Sequence, residues 1–171
     1  NKDTRDASSW ALWIIYKVAR DKGTFIPLTR EHLLRTGKNI TAATLQNIFA
    51  TIILAIQVLH EFPKVLHAAL AVLGTPDVAK FAAAQRFPDI ITKIPAAMRK
   101  YENAVGIQEA GCIAIAMIAY NVRELELDVV RFRTENVHKV ISNAMVKHKE
   151  VQMLQKAGCE AINILGDIGM C

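Results

Sequence analysis

Apolar residues recur at spacings of three and four along most of the chain, and the C-terminal third shows the pattern most clearly. One apolar stripe begins at Val137, and a second begins at Leu154, after the polar stretch 147–150. This spacing places apolar side chains on one face of a helix, so it predicts two amphipathic helices. The stripe residues are Val137, Ile141, Ala144, Met145 and His148 in the first helix and Leu154, Gly158, Ala161, Ile162 and Leu165 in the second.

Proline and short polar residues mark the helix boundaries. Thr75-Pro76-Asp77 and Pro88-Asp89 each place a proline in a first helical turn, where its missing N–H costs no hydrogen bond. Residues 103–106 predict a break, and residues 134–136 predict capping of the helix that follows. Pro95 falls inside a predicted helix, where it either kinks the helix or moves its effective start.

Two further segments complete an all-helical prediction. Residues 123–133 predict a helix with Leu125, Val129 and Phe132 on one face. The most apolar run, 48–59, is shorter than the ~18 residues that suggest a membrane span, so it predicts a buried helix. No useful length of chain alternates with a period of two, which argues against a sheet.

The second half of the chain contains an internal repeat. Residues 94–119 align without gaps on residues 141–166, an offset of 47 residues, and ten aligned positions are identical. Weaker copies lie at Phe62 to Gly74, FPKVLHAALAVLG, and at Ser8 to Tyr16, SSWALWIIY. A period of this length is typical of helical repeats, in which each unit covers the apolar face of its neighbour.

Four segments resemble the third helix of the armadillo repeat, whose pattern is a small residue, then Cys, Trp, Ala, Leu, a variable residue, Asn, Leu and Ala. They are GCIAIAMIA, GCEAINILG, LHAALAVLG and SSWALWIIY, and PDIITKIPAAMRKYENAVGIQEAGC is similar to that family's second helix and the turn after it. The resemblance implies an all-α fold, a right-handed α-α superhelix of the armadillo-like solenoid kind, and the related HEAT repeat, which shares this period and helix content, stays open as the alternative class. It implies one domain, 1–171, with a partial repeat at 1–23 and repeats near 24–74, 75–121 and 122–171.

In the armadillo family the third helices line a concave groove, where the Trp and Asn positions of the pattern hold an extended peptide. Only Trp10 keeps the family's residue here, and the missing Asn ladder argues against binding of a nuclear localisation peptide. The apolar residues that remain predict a groove for a partner helix or peptide, with inter-repeat core or cover by another helix as the alternative. The predicted groove consists of Trp10, Trp13, Ile14, Val72, Ile113, Met117 and Ile164.

Charge suggests a second class of function. The chain carries 21 Lys and Arg against 16 Asp and Glu, a net charge of +5, and so small an excess matters only where it is concentrated. Four basic residues in matching turns of consecutive repeats predict a basic edge that would bind nucleic acid or another polyanion. A third alternative is an architectural or regulatory arm of a larger signalling or cytoskeletal protein. The basic edge consists of Arg99, Lys100, Lys147 and Lys149.

The sequence lacks the patterns of catalytic and cofactor sites. Its three Cys have no metal-ligand spacing, its five His are scattered, and no phosphate-binding glycine loop is present. Because Cys112 and Cys159 are equivalent in the repeat, we expect both to be small packing residues. We therefore expect a non-enzymatic protein that needs no cofactor or metal.

The chain has no initiator methionine and no signal peptide. With an odd number of Cys, this predicts a fragment of a longer protein from the reducing cytoplasm. The terminal faces of a stack of repeats lack neighbours, which also predicts self-association.

Overall fold

The computed structural model describes residues 61–85, 88–124 and 136–167, together with the single positions Gln46, Phe49, Ala50, Ile52, Ile53, Ile56 and Phe132. Within these residues all regular structure is helical, which confirms the all-α prediction. The helices are α1 (Pro63–Leu73), α2 (Pro76–Ala84), α3 (Pro88–Lys100), α4 (Val105–Glu124), α5 (Val137–Lys147) and α6 (Gln152–Asp167).

The predicted proline starts are correct. Pro76 begins α2 and Pro88 begins α3. Thr75 precedes α2 in an extended conformation, and its hydroxyl donates to the carbonyl of Val72 at 2.7 Å instead of capping the new helix. Pro95 lies inside α3 without moving the start of that helix, which continues to Lys100.

One predicted boundary is wrong, and α5 begins directly after residues 134–136 as predicted but without a side-chain cap from Asn136. Arg123 continues α4, which ends at Glu124, so no new helix begins at Arg123. Phe132 is helical and buried as predicted, but Leu125 and Val129 lie outside the described residues. Asn136 precedes α5 with a left-handed backbone, φ 49°, and makes no capping hydrogen bond from its side chain. A capping side chain needs an extended backbone to reach the free N–H groups of the first turn.

The sequence repeat is also a structural repeat. The helix pairs α3–α4 and α5–α6 are each closed by a glutamine that reaches back to the end of the first helix. Gln108 Nε2 donates to the carbonyls of Met98 at 2.8 Å and Tyr101 at 2.9 Å. The last carbonyls of a helix have no partner within the helix, so these bonds satisfy them. The equivalent bonds, 47 residues later, run from Gln155 Nε2 to the carbonyls of Met145 at 2.9 Å and His148 at 3.2 Å.

A glycine in the second helix of each pair permits close approach to the first. A Cβ atom on Gly111 would lie 2.6 Å from Met98 Sδ, and one on Gly158 would lie 2.5 Å from Met145 Sδ. Both distances are shorter than van der Waals contact. The same glycine–methionine contact therefore recurs in both pairs.

α4 is the central helix of the described core. It packs against α1, α2, α3 and α6, and most of its residues are buried. Its 20 residues are also long and apolar enough to cross a membrane. A core helix of a folded domain has the same composition, and 67% of the most apolar window is buried within the fold. We therefore interpret α4 as a core helix.

Candidate interaction surfaces

One face of α4 and α6 presents large apolar side chains. On α4, Ile113, Met117 and Tyr120 follow at spacings of four and three, so they lie on one stripe. On α6, Met153 and Ile164 lie eleven residues apart, which is close to three full turns. Tyr120 is 42% exposed and Met153 is 61% exposed. We call this surface the third-helix face; it consists of Ile113, Met117 and Tyr120 on α4 and Met153, Glu160 and Ile164 on α6.

The predicted groove is only partly present on this face. Met117 and Ile164 are half-buried and keep some accessible surface. Ile113 also packs between units, because a Cβ atom on Gly74 would lie 2.9 Å from its Cγ2 atom. Trp10, Trp13 and Ile14 lie outside the described residues.

Val72 is a correction to the groove prediction. It is 7% exposed and belongs to the buried core cluster around α1 and α4. It has almost no surface to offer a partner, because neighbouring helices already cover it. For this position, the alternative interpretation as inter-repeat core is the correct one.

Tyr120 and Met153 were missed by the sequence argument. The armadillo pattern assigns groove positions only at its Trp and Asn sites, and neither residue occupies one. Helical periodicity could have found them, since Tyr120 follows Met117 by one turn and Met153 precedes Glu160 by two.

An arginine joins the two helices at the end of the third-helix face. Arg123 Nη1 lies 3.0 Å from the Asp167 carboxylate on α6. The Arg123 guanidinium carbon is 5.1 Å from the centre of the Tyr120 ring, a cation–π distance. The groups are partly solvated, so the ion pair contributes little to stability.

The predicted basic edge is divided by its ion pairs. Lys100 pairs with the Glu61 carboxylate, and Lys147 Nζ lies 2.8 Å from Glu102 Oε1. The hydrogen bond from Lys147 lowers the pKa of Glu102, so this carboxylate stays ionised at neutral pH. Lys149 is exposed in the turn after α5. The four basic residues therefore do not form one continuous strip of uncompensated charge.

A cleft between α3 and α5 collects part of that charge. Its volume is about 360 Å³, and its floor is apolar where Met98, Val140 and Ala144 are buried. Two residues of the predicted basic edge line it, together with Lys139, which the sequence argument missed. We call it the α3–α5 cleft; its lining is Met98, Arg99, Glu102, Gln108, Asn136, Lys139, Val140, Asn143, Ala144 and Lys147.

The two repeat-equivalent cysteines have different surroundings. Cys112 is fully buried in α4, which confirms it as a packing residue, and burial raises the pKa of its thiol to about 12. Cys159 is exposed, so the same prediction is wrong there. α4 is packed between α1 and α6, whereas the described part of the chain places no helix on the far side of α6.

The remaining candidate residues on the described surfaces are side chains of metal-ligating types and His67. Within residues 61–85, 88–124 and 136–167, no group of three or more His, Cys, Asp and Glu is arranged to hold a metal ion. His67 on α1 lies against Gly106 of α4, where a Cβ atom would be 3.0 Å from its ring. Burial lowers the pKa of His67, so we interpret it as part of the contact between units.

Comparison of the chain with known protein families, with curated proteins and with solved structures finds no match. The armadillo resemblance therefore stays a prediction. The assignment of a function depends on the surfaces described above.

Proposed function

We propose that this chain is a segment of a non-enzymatic helical-repeat scaffold, an armadillo-like right-handed superhelix that binds other proteins. The observation that carries the proposal is the glutamine–carbonyl contact that recurs 47 residues later in the next helix pair. Regular stacking of equivalent helix pairs is typical of solenoid proteins, whose extended surfaces bind partners.

The third-helix face is the proposed binding surface. Among the described residues, the exposed large apolar side chains are Phe62, Tyr120, Val146 and Met153, and two of these lie on this face. Tyrosine and methionine are suited to such a role, because both bury much apolar area and methionine adapts to different partners. Half-buried Met117 and Ile164 extend the apolar surface between them. A partner helix or peptide would lie along this surface with its apolar side chains inward.

The proposal is tested by capturing partners with the full chain and with a double variant. Met117→Glu with Met153→Glu places one charge on each helix of the third-helix face. Phe62→Glu with Val146→Glu is the matched control, because it removes two exposed apolar side chains elsewhere. Circular dichroism must show unchanged helix content in both variants. Ile113 is left intact because it also packs against Gly74.

We expect the control to keep the partners of the native chain and the face variant to lose them. Partners that both variants keep would show that the third-helix face is not the binding surface. A native chain that captures nothing would favour the architectural arm, which needs no partner of its own.

A further inference from the structure

The α3–α5 cleft concentrates positive charge over a small volume. Arg99, Lys139 and Lys147 line it, and Glu102 is the acidic residue among its described lining residues. Among the described lining residues, three cations and one carboxylate give a formal net charge of +2 around about 360 Å³.

The remaining lining adds neutral hydrogen-bonding groups. Asn136, directly before α5, and Asn143, on α5, contribute side-chain amides, which can donate to an oxyanion without adding charge. The apolar floor around Met98 and Val140 closes one side of the cleft, while the charged side chains at its rim remain exposed. Guanidinium, ammonium and amide donors converging on one volume suit the oxygens of a phosphate better than a cation or an apolar ligand.

We propose that the α3–α5 cleft binds a phosphoryl group, either free or carried on another molecule. Arg99 and Lys139 make the direct contacts from opposite walls. Lys147, whose Nζ lies 2.8 Å from Glu102 Oε1, turns toward the phosphate when it binds. Glu102 therefore lowers the affinity for anions, because the ligand must compete with its carboxylate for Lys147.

The site is separate from the proposed protein-binding surface. The cleft lies between the first helices of the two pairs, α3 and α5, whereas the third-helix face lies on α4 and α6. Loss of one activity should leave the other intact, so each proposal can fail without the other.

The test is a nuclear magnetic resonance titration of the full chain with pyrophosphate at low ionic strength. We expect chemical-shift changes around the end of α3 and the first two turns of α5, with a dissociation constant on the order of 1 mM or below. Lys139→Ala should weaken binding about five- to tenfold, as expected for loss of one charge-assisted contact at a partly solvated site. Lys156→Ala is the matched control, because Lys156 is an exposed lysine on α6 outside the cleft.

Glu102→Gln makes the opposite and more diagnostic change. The amide keeps the shape of the side chain and removes its charge, so the net charge of the cleft rises by one. We expect pyrophosphate to bind about three- to tenfold more tightly, because Lys147 is released and one repulsion is lost. A structural role for Glu102 alone would not produce tighter binding.

The outcomes separate the sources of the phosphate. A short phosphoserine peptide that binds more tightly than pyrophosphate would assign the site to a phosphorylated chain, and the reverse order would assign it to a free phosphate. The proposal is overturned if pyrophosphate causes no localised shifts up to about 10 mM, where a weak but specific site would already be occupied. It is also overturned if Lys156→Ala weakens binding as much as Lys139→Ala, or if Glu102→Gln fails to tighten it.

Discussion

Gln108 closes the α3–α4 helix pair, and its replacement by methionine tests how much the repeated contact stabilises the fold. The side chain is 2% exposed and donates to two carbonyls at the end of α3. Methionine has similar length and volume and a similar helix propensity. Gln108→Met therefore removes the two donors and leaves the packing nearly unchanged.

Removal of the Gln108 amide leaves the two carbonyls with different numbers of hydrogen bonds. The Tyr101 oxygen keeps a bond from the Ala104 N–H at 2.9 Å, so only one of its two bonds is lost. The Met98 oxygen loses its donor from Gln108. An unsatisfied buried acceptor costs about 1–3 kcal/mol, and loss of one further bond costs about 0.5–1.5 kcal/mol. We expect the free energy of unfolding to fall by about 2–4 kcal/mol.

Gln155→Met is the matched control at the equivalent position of the next pair. Gln155 makes the same two bonds but is half-buried, so water can replace its amide at the carbonyls of Met145 and His148. We expect a smaller loss, about 0.5–1 kcal/mol.

Urea unfolding followed by circular dichroism measures both losses. The dependence of the free energy of unfolding on urea concentration must be the same in all variants. Repeat proteins can unfold in steps, and a changed dependence would prevent a direct comparison of their free energies of unfolding. Equal losses in the two variants would refute the argument that burial of the carbonyls decides the cost. A loss below about 1 kcal/mol for Gln108→Met would show that the contact is not a major stabilising interaction.

Three further predictions concern the packing between helices. Gly111→Ala should destabilise the chain by about 1–3 kcal/mol, because the new Cβ lies 2.6 Å from a buried methionine sulfur. Gly158→Ala should be close to neutral, because the methionine beside it is partly exposed and can move. Urea unfolding of both variants measures these changes in stability, and equal effects would contradict the prediction. Burial lowers the pKa of His67 below its ordinary value of 6.5, so the unfolded chain binds a proton that the folded chain does not. The free energy of unfolding should then be highest above pH 6.5 and should fall as the pH drops below 6.5. This fall should be smaller in His67→Gln than in the native chain when unfolding is compared at about pH 7.5 and pH 5.5. Iodoacetamide should label Cys159 in the folded chain and leave Cys112 unmodified, as peptide mass mapping would show, because Cys159 is exposed and Cys112 is buried.

Much of the local structure could be predicted from the sequence. The apolar spacing of three and four identified the helices, and Pro76 and Pro88 marked two of their starts. The ten identities at an offset of 47 residues identified equivalent positions, including the glutamines that make equivalent bonds. These features depend on residues close together in the chain, so the local pattern determines them.

The surfaces were predicted less well. Val72 and Met117 are equivalent in the repeat, yet Val72 is buried and Met117 keeps some accessible surface. The basic edge was divided, because Lys100 pairs with Glu61 and Lys139 joins the cleft from another turn of α5. A repeat pattern assigns equivalent positions but does not specify which neighbours surround each one.

The sequence by itself therefore determined most of the helices, their repeat and which positions are equivalent in it. Only the tertiary structure decided which equivalent residues are accessible, as the buried Cys112 and the exposed Cys159 show. The physical reason is that helix formation follows the spacing of apolar side chains along the chain, whereas burial depends on which other helix covers each face.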